Sequence, residues 1–459
     1  MKNRSFKILA MVIMAIMVIA LSSCSILTAY VGGYSTDSSL GTNSSIDLGT
    51  SKDTNQAEDT GSNDTNTDGL LIKSVDINSA GELIITYTDG SKQNLGKVTS
   101  NSGDVNVNIE GSGNNASYAT ALGLRSAVSI QCSFTITNRY GATSTSASAG
   151  SGFIYKLDKE EGDAFIVTNF HVVYNDESTN ANGIADSIYV YLYGSEYSDM
   201  KIPATYVGGS NNYDVAVLRV EDCDLLKSGV FREATIANSD ETYVGQSAIA
   251  IGNPDSAGLS ASYGVISVYS EQITLNIGGS VSLRVMRIDT PVNSGNSGGG
   301  LYNEKGELIG IVNAKTSDES LENIGYAIPS NIVKGIADNI IDNCYGTDLE
   351  RVQRVLLGIT VGIADSKAYL TDDGHIKVKE TVYVTEVTKT GIAYGYLKAD
   401  DILISAKIND TEIEIVRQHQ IIDFLLTARV GDTFYITVER GGENVTLKIA
   451  ITKDAITEY

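Results

Sequence analysis

The chain has 459 residues, 42% hydrophobic and only 19% charged, which allows two or three domains with sizeable cores. Its 33 Lys and Arg against 56 Asp and Glu leave a formal charge of −23, which excludes nucleic acid as a partner, because phosphate binding needs a basic face. An acidic substrate surface is repelled too, though weakly at physiological salt.

At the N-terminus Lys2, Arg4 and Lys7 precede an apolar run over 8–21 that ends Leu21-Ser-Ser-Cys24. The run is short for a spanning helix and fits a secretory signal. Its end resembles the bacterial lipobox, which implies that Cys24 is acylated, becomes the mature N-terminus and tethers an exported chain to the membrane. Residues 25–69 are dominated by Ser, Thr, Asn, Asp and Gly, with too few large apolar residues for a core, so they read as an acidic, disordered stalk. Strand composition with turn punctuation over 70–98 predicts a small β-hairpin, and 99–119 returns to linker composition.

From about residue 120 short apolar runs recur between Gly, Asn and Asp breaks, at 153–157, 165–168, 188–192, 215–220, 248–251 and 264–268. Many short strands at this spacing predict an all-β barrel or sandwich. Over 330–343 the period changes: Ile332, Val333, Ile336, Ile340 and Ile341 share one helical face, predicting a helix that closes the domain near residue 345.

The chemistry concentrates in Asn293-Ser-Gly-Asn-Ser-Gly-Gly-Gly300, between strand-like runs at 283–288 and 307–314. A serine hydroxyl needs a base to take its proton and donors to stabilise an oxyanion, and flanking glycines let backbone N–H groups turn toward a bound carbonyl. Ser297 is the candidate nucleophile. Upstream, His171 ends the apolar run Ile166-Val-Thr-Asn-Phe-His171, and Asp214 opens Tyr213-Asp-Val-Ala-Val-Leu218. Base, orienting acid and nucleophile thus follow in the order His, Asp, Ser, the order of chymotrypsin. The N–H groups of Gly295 and Ser297, with Asn296 as a third candidate, are placed to form an oxyanion hole. Such a reaction needs no metal or cofactor. His375 and His419, the other two histidines, both fall in the C-terminal region.

Seven motifs together resemble the HtrA (Deg) serine proteases: Gly150-Ser-Gly-Phe-Ile, Val167-Thr-Asn-Phe-His-Val-Val, Tyr213-Asp-Val-Ala-Val-Leu, Ala250-Ile-Gly-Asn-Pro254, Gly264-Val-Ile-Ser267, Asn293-Ser-Gly-Asn-Ser-Gly-Gly299 and Gly325-Tyr-Ala-Ile-Pro-Ser330. The resemblance implies a mainly β fold, a chymotrypsin-like double β-barrel over 120–345 followed by a PDZ domain over 352–455. The active site would lie between the barrels, and a homotrimer is expected. The PDZ resemblance rests on Arg354-Val-Leu-Leu-Gly-Ile359, on 382–387, on the run from Gly391 to Leu403 and on the run from Gly431 to Arg440. It implies that the loop Leu356, Leu357, Gly358, Ile359 takes a peptide's terminal carboxylate, with Arg354 adding charge, simply solvated or part of the hinge between domains. Ile421, Ile422, Leu425 and Leu426 stand at helical spacing that suits a groove or a core.

Three positions depart from the family. Ser294 and Gly300 stand where it usually has Pro, which predicts a more mobile active-site loop, and Lys398-Ala-Asp-Asp replaces its usual Gly-Asp turn. Pro291, six residues before Ser297, is expected at the floor of the primary specificity pocket, where the lack of an acid argues against cleavage after Lys or Arg. Lys315 follows the expected pocket wall. Cys132, Cys223 and Cys344 are an odd set, so no disulfide framework is expected. The substrates implied are unfolded or partly folded proteins and peptide C-termini. A competing reading keeps the PDZ domain as a peptide-binding chaperone or sensor with little protease activity.

Overall fold

The computed structural model describes residues 115–458 except 138–139, 196–199 and 314–323, together with five short strands before them. Cys24, the stalk and Lys315 lie outside the described residues. The five early strands form a unit of their own: β1 (Ile72–Ile77), β2 (Glu82–Tyr87) and β3 (Lys92–Lys97) make an antiparallel sheet, and β4 (Thr99–Asn101) pairs with β5 (Asp104–Asn106). A third strand therefore joins the expected hairpin.

Two closed six-stranded barrels follow. The first contains β6 (Ala127–Thr137), β7 (Thr143–Asp158), β8 (Asp163–Thr168), β9 (Ser187–Leu192), β10 (Ile202–Ser210) and β11 (Val215–Val220), in the order β10-β11-β8-β7-β6-β9. The second contains β12 (Ser247–Gly252), β13 (Ser260–Asn276), β14 (Ser280–Ile288), β15 (Gly300–Tyr302), β16 (Leu308–Asn313) and β17 (Gly325–Pro329), in the order β12-β13-β14-β17-β16-β15. Every pairing in both is antiparallel, and closure removes the exposed edges that open sheets carry. Alternate residues point into the barrels, and several outward-facing ones are covered as well: Phe153, Ile166, Val190 and both neighbours Val217 and Leu218 are fully buried. This is the chymotrypsin-like double barrel that the motifs imply.

Two helices fasten the barrels. Helix α1 (Asn115–Leu124) packs on β12 and β15, with Ala119 wholly buried. It overlaps the stretch expected to be linker, because much of its buried face is the small residues Ala116, Ala119 and Gly123, with large apolar side chains only at its end, Leu122 and Leu124. Helix α3 (Ser330–Asn343) covers the expected residues and lies against β10 and β11 of one barrel and β16 and β17 of the other. Ile332, Val333, Ile336, Ala337 and Ile340 are all buried there; each large side chain contributes about 2 kcal/mol. Between them in sequence, α2 (Phe170–Val173) is a single turn that carries His171.

The C-terminal domain is a second β structure with its own core. Strand β18 (Gln353–Val355) pairs with β25 (Ile456–Glu458), returning the end of the chain to the interdomain linker. Strands β19 (Ile359–Leu370), β20 (Ile376–Val387), β21 (Ile402–Ile408), β23 (Thr433–Arg440) and β24 (Glu443–Ala450) form a sheet in that order, with β22 (Thr411–Glu414) on β21 and α4 (Gln418–Leu425) between β22 and β23 in sequence. Helix α4 also docks the domain on the barrels. Asp423 pairs with Arg284 of β14, both side chains being 8% exposed, and Leu426 enters the barrel core against Gly335, where a Cβ would lie 2.7 Å from the leucine Cβ.

The Lys398-Ala-Asp-Asp turn sets Asp400 at a left-handed φ of 70°, which a glycine adopts without strain, and its last residue is fixed by its bonds. Asp401 is buried and accepts two bonds from Arg440, 2.7 Å from Nε and 2.6 Å from Nη2, and a third of 2.8 Å from the Lys398 N–H. Burial opposes its ionisation, but Arg440 and the Lys398 N–H outweigh burial and hold the carboxyl below the ordinary Asp range. The sign follows: this stabilisation is complete above the unfolded pKa of about 4 and is lost as pH falls through the lowered folded value. Asp401→Ala is expected to destabilise the C-terminal domain by about 2–3 kcal/mol, since it strands a partly buried guanidinium and a backbone donor. Hydrogen exchange checks this: amides of β21 and β23 should exchange faster while those of the barrels do not change.

Candidate active site

His171 and Asp214 meet at the open end of the first barrel. The single turn α2 leaves β8 and presents the imidazole, with Phe170, Val172 and Val173 buried beneath it. His171 Nδ1 lies 2.7 Å from Asp214 Oδ2, and the His171 backbone N–H donates to Asp214 Oδ1 at 2.9 Å. Asp214 is wholly buried and takes a left-handed φ of 50°, uncommon for a residue with a Cβ. The conformation is held from outside, because Asn169 Nδ2 donates to the Asp214 carbonyl at 2.8 Å.

The second barrel supplies a further donor. Asn313, at the end of β16 and fully buried, donates from Nδ2 to Asp214 Oδ2 at 2.7 Å. A buried carboxylate without partners is prohibitively costly, and three donors from two barrels meet that need here.

Ser297 belongs to a turn clamped against both barrels. The Asn296 N–H donates to Asn293 O at 3.0 Å, so Asn296 closes the turn instead of facing a substrate oxygen. Gly295 has φ 95°, and a Cβ on it would sit 2.2 Å from the Asn253 carbonyl; Gly298 has φ 86°, and its Cβ would sit 2.1 Å from the Ser151 carbonyl. Both positions therefore require glycine. The Ser151 N–H donates to Ser297 O at 2.8 Å, the Ser151 hydroxyl donates to Gly295 O at 2.7 Å, and the Asn253 N–H donates to that hydroxyl at 2.8 Å. The Gly298 N–H reaches Val312 O at 3.0 Å, beside Asn313. Ser297 itself is 6% exposed. Ser151, Asn169, Asn253 and Asn313 are thus the residues that reading for a nucleophile passed over. The available signal was a polar residue inside one of the seven motifs or, for Asn313, one that ends an apolar run.

Pro291 is exposed, and its carbonyl accepts from Ser262 Oγ at 2.7 Å. The loop around Ser294 is tied down, its carbonyl accepting from the Asp255 N–H at 2.8 Å. Cys132, Cys223 and Cys344 are buried and form no disulfide among the described residues, and burial pushes the Cys132 thiol up to about 12.

In the C-terminal domain the loop Leu356, Leu357, Gly358, Ile359 precedes the edge strand β19. The segment 388–393 holds its carbonyls: Leu356 O accepts from Ile392, Leu357 O from Ala393 and Gly358 O from Thr388, at 2.8–3.2 Å. Gly358, with φ 74°, approaches Gly391 so closely that a Cβ would lie 2.4 Å from the Gly391 Cα. Arg354 is on β18, opposite Thr457.

Residues 150–311 match the trypsin-like peptidase domain family. Serine protease Do-like HtrA of Bacillus subtilis (strain 168) is 31% identical over 316 residues, 67% of this chain and 64% of that protein. The enzyme of the same name from Lactococcus lactis subsp. cremoris (strain MG1363) is 32% identical over 321 residues, 67% of this chain and 71% of that protein. The periplasmic pH-dependent serine endoprotease DegQ of Escherichia coli (strain K12) is 31% identical over 258 residues, 56% of this chain and 50% of that protein. Among solved structures, the HtrA-type protease AlgW with decapeptide aligns at 24% identity over 75% of this chain and 98% of that one, with a TM-score of 0.45, too loose a likeness to carry any argument. The barrels, their motifs and the extent of these matches lead to one conclusion: the chain belongs to the Do-like HtrA family of serine proteases.

Proposed function

We propose that the protein is a membrane-tethered, extracytoplasmic endopeptidase that hydrolyses unfolded or regulatory proteins through an acyl-enzyme. The observation that carries this reading is the buried Asp214 carboxylate on His171 Nδ1, 2.7 Å away, because it fixes the proton on Nδ1 and leaves Nε2 as the base. His171 Nε2 takes the Ser297 hydroxyl proton as Oγ bonds to the scissile carbonyl carbon. The N–H groups of Gly295 and Ser297 stabilise the oxyanion. His171 then gives its proton to the leaving amine as the C–N bond breaks, and a water molecule repeats the sequence on the ester.

Ser297→Ala and His171→Ala are each expected to reduce turnover of an unfolded protein by several orders of magnitude with little change in folding, because triad members act as a unit. A serine-directed phosphonate should label the parent and not Ser297→Ala. More than about a tenth of the activity left in Ser297→Ala would remove Ser297 from the role of nucleophile.

The tether in this reading is Cys24, supported by the sequence that precedes it; among the described residues no helix is long and apolar enough to cross a membrane. Cys24→Ala should release the protein from membranes or leave an uncleaved precursor. Fractionation and the intact mass of the N-terminal peptide check this, and a membrane-bound protein with an unmodified Cys24 would show a retained signal anchor instead.

The C-terminal domain is proposed to act as a PDZ domain, taking a peptide as an added strand beside β19 with its carboxylate on the Leu356–Ile359 loop. The support is the edge position of β19, the glycine at 358 and the inward-held carbonyls of the loop. In a Ser297→Ala background, amidating an apolar peptide terminus should weaken binding about tenfold or more, the effect of losing a charge-assisted bond of about 1.5–3 kcal/mol. Calorimetry with the paired free-acid and amidated peptides measures it; equal affinities exclude carboxylate capture.

A further inference from the structure

Strand β19 is the outermost strand of its sheet, paired on one side with β20 and flanked on the other by α4. Exposed edges of this kind accept foreign strands, which makes them useful for binding and hazardous otherwise. Successive residues of a strand direct their backbone groups to alternate sides, and the register shift between Thr360 and Val361 places its extra residue, Thr385, on β20 and not on β19. The Thr360 carbonyl is reached from the β20 side, by Thr385 Oγ1 at 3.1 Å. The next carbonyl, that of Val361, is reached from the opposite side, where Gln418 Nε2 of α4 donates to it at 3.0 Å. The first outward-facing position after the Leu356–Ile359 loop is therefore already occupied by a side chain of the protein itself.

The backbone of Gln418 is fixed while its amide is not built in. The Gln418 N–H donates to Glu380 Oε2 at 2.8 Å, and Glu380 Oε1 in turn pairs with Arg417 Nε at 2.9 Å. The side chain lies half-buried at the mouth of the groove, with apolar neighbours left open: Ile363 is 44% exposed and Ile422, one helical turn beyond Gln418, 40%. An apolar strip beside a strand edge with one carbonyl stoppered is a site prepared for an extended chain and closed to weak ones.

We infer that Gln418 is a displaceable plug on this edge: its amide holds the Val361 carbonyl that an added strand must use, so binding requires exchange of that bond for one from the ligand's backbone. The inference rests on the PDZ reading of the domain. The exchange replaces one neutral hydrogen bond by another and returns the Gln418 amide to water, so it imposes a threshold and not a block. A ligand that also places a carboxylate on the loop and an apolar side chain against Ile422 passes that threshold, whereas a passing internal strand does not. The same contact shields the edge from pairing with other chains.

The test uses the full chain carrying Ser297→Ala, a fluorescein-labelled decapeptide ending in a free valine, and fluorescence anisotropy. Gln418→Ala, and Gln418→Met, which keeps the length but cannot donate, are each expected to bind the peptide about two- to fivefold more tightly than the parent, with thermal unfolding unchanged. Unchanged or weaker binding in both variants would make Gln418 a staple that sets the groove's width, and would overturn the plug. Absence of binding by parent and variants alike would overturn the PDZ reading and the plug with it.

Discussion

The structure depends on one buried negative charge. Asp214 has no solvent exposure, and its carboxylate is held by the His171 N–H and Nδ1 from the first barrel and by Asn313 Nδ2 from the second. Desolvating a carboxylate costs several kcal/mol, so the arrangement is stable only when all three donors are present together. That condition sets much of the rest. The barrels must dock in one register, α3 must lie across both, β16 must end in a residue that can donate, and residue 214 must accept a left-handed backbone to turn its side chain inward. The site is thus a consequence of how the barrels are joined, and neither barrel contains it alone.

Much of this was legible in the sequence because it is local. The strand runs, the helix at 330–343 and the order His171, Asp214, Ser297 come from patterns within a few residues, and the double barrel follows from the motifs. What was not legible depends on contacts distant in sequence. Asn313 looks like the polar end of a strand until Asp214, 99 residues earlier, is brought to it. Ser151 looks like a turn residue until it bridges Asn253 and Gly295. Helix α1 escaped notice because small residues packed on a barrel leave little amphipathic signal.

One short helix joins the two halves of the proposed function. Gln418 and Ile422, one turn apart on α4, face the strand edge, while Asp423 and Leu426 face the barrels. Burial pushes the Asp423 carboxyl up, against the pull of Arg284. Around it, Gln420 Nε2 donates to Asp240 Oδ2 at 3.1 Å, Lys377 Nζ to Asp240 O at 3.1 Å, and His375 stacks on Tyr243 at 3.5 Å. The far wall of the groove is therefore a fixed part of the catalytic body. A ligand must adapt to it, so the proposed control falls to a side chain such as Gln418 and not to the helix that carries it.

The family departure at Gly300 has its explanation two residues away. A Cβ at 300 would lie 2.5 Å from the ring of Tyr302, which is fully buried, and the same ring comes within 3.1 Å of where a Cβ on Gly123 of α1 would be. The ring is wedged between two glycines, and its hydroxyl lies 3.0 Å from Ser126 Oγ. A side chain at 300 and a large aromatic at 302 exclude each other, since cores at native density have no spare volume for both. Residue 300 is glycine to make room for that ring, and the turn bearing Ser297 is braced by it: the aromatic fills the space between the turn's exit and the helix that precedes the barrels. Freedom in the backbone at 300 is thus exchanged for packing at 302. That is why the loss of a proline here need not loosen the loop.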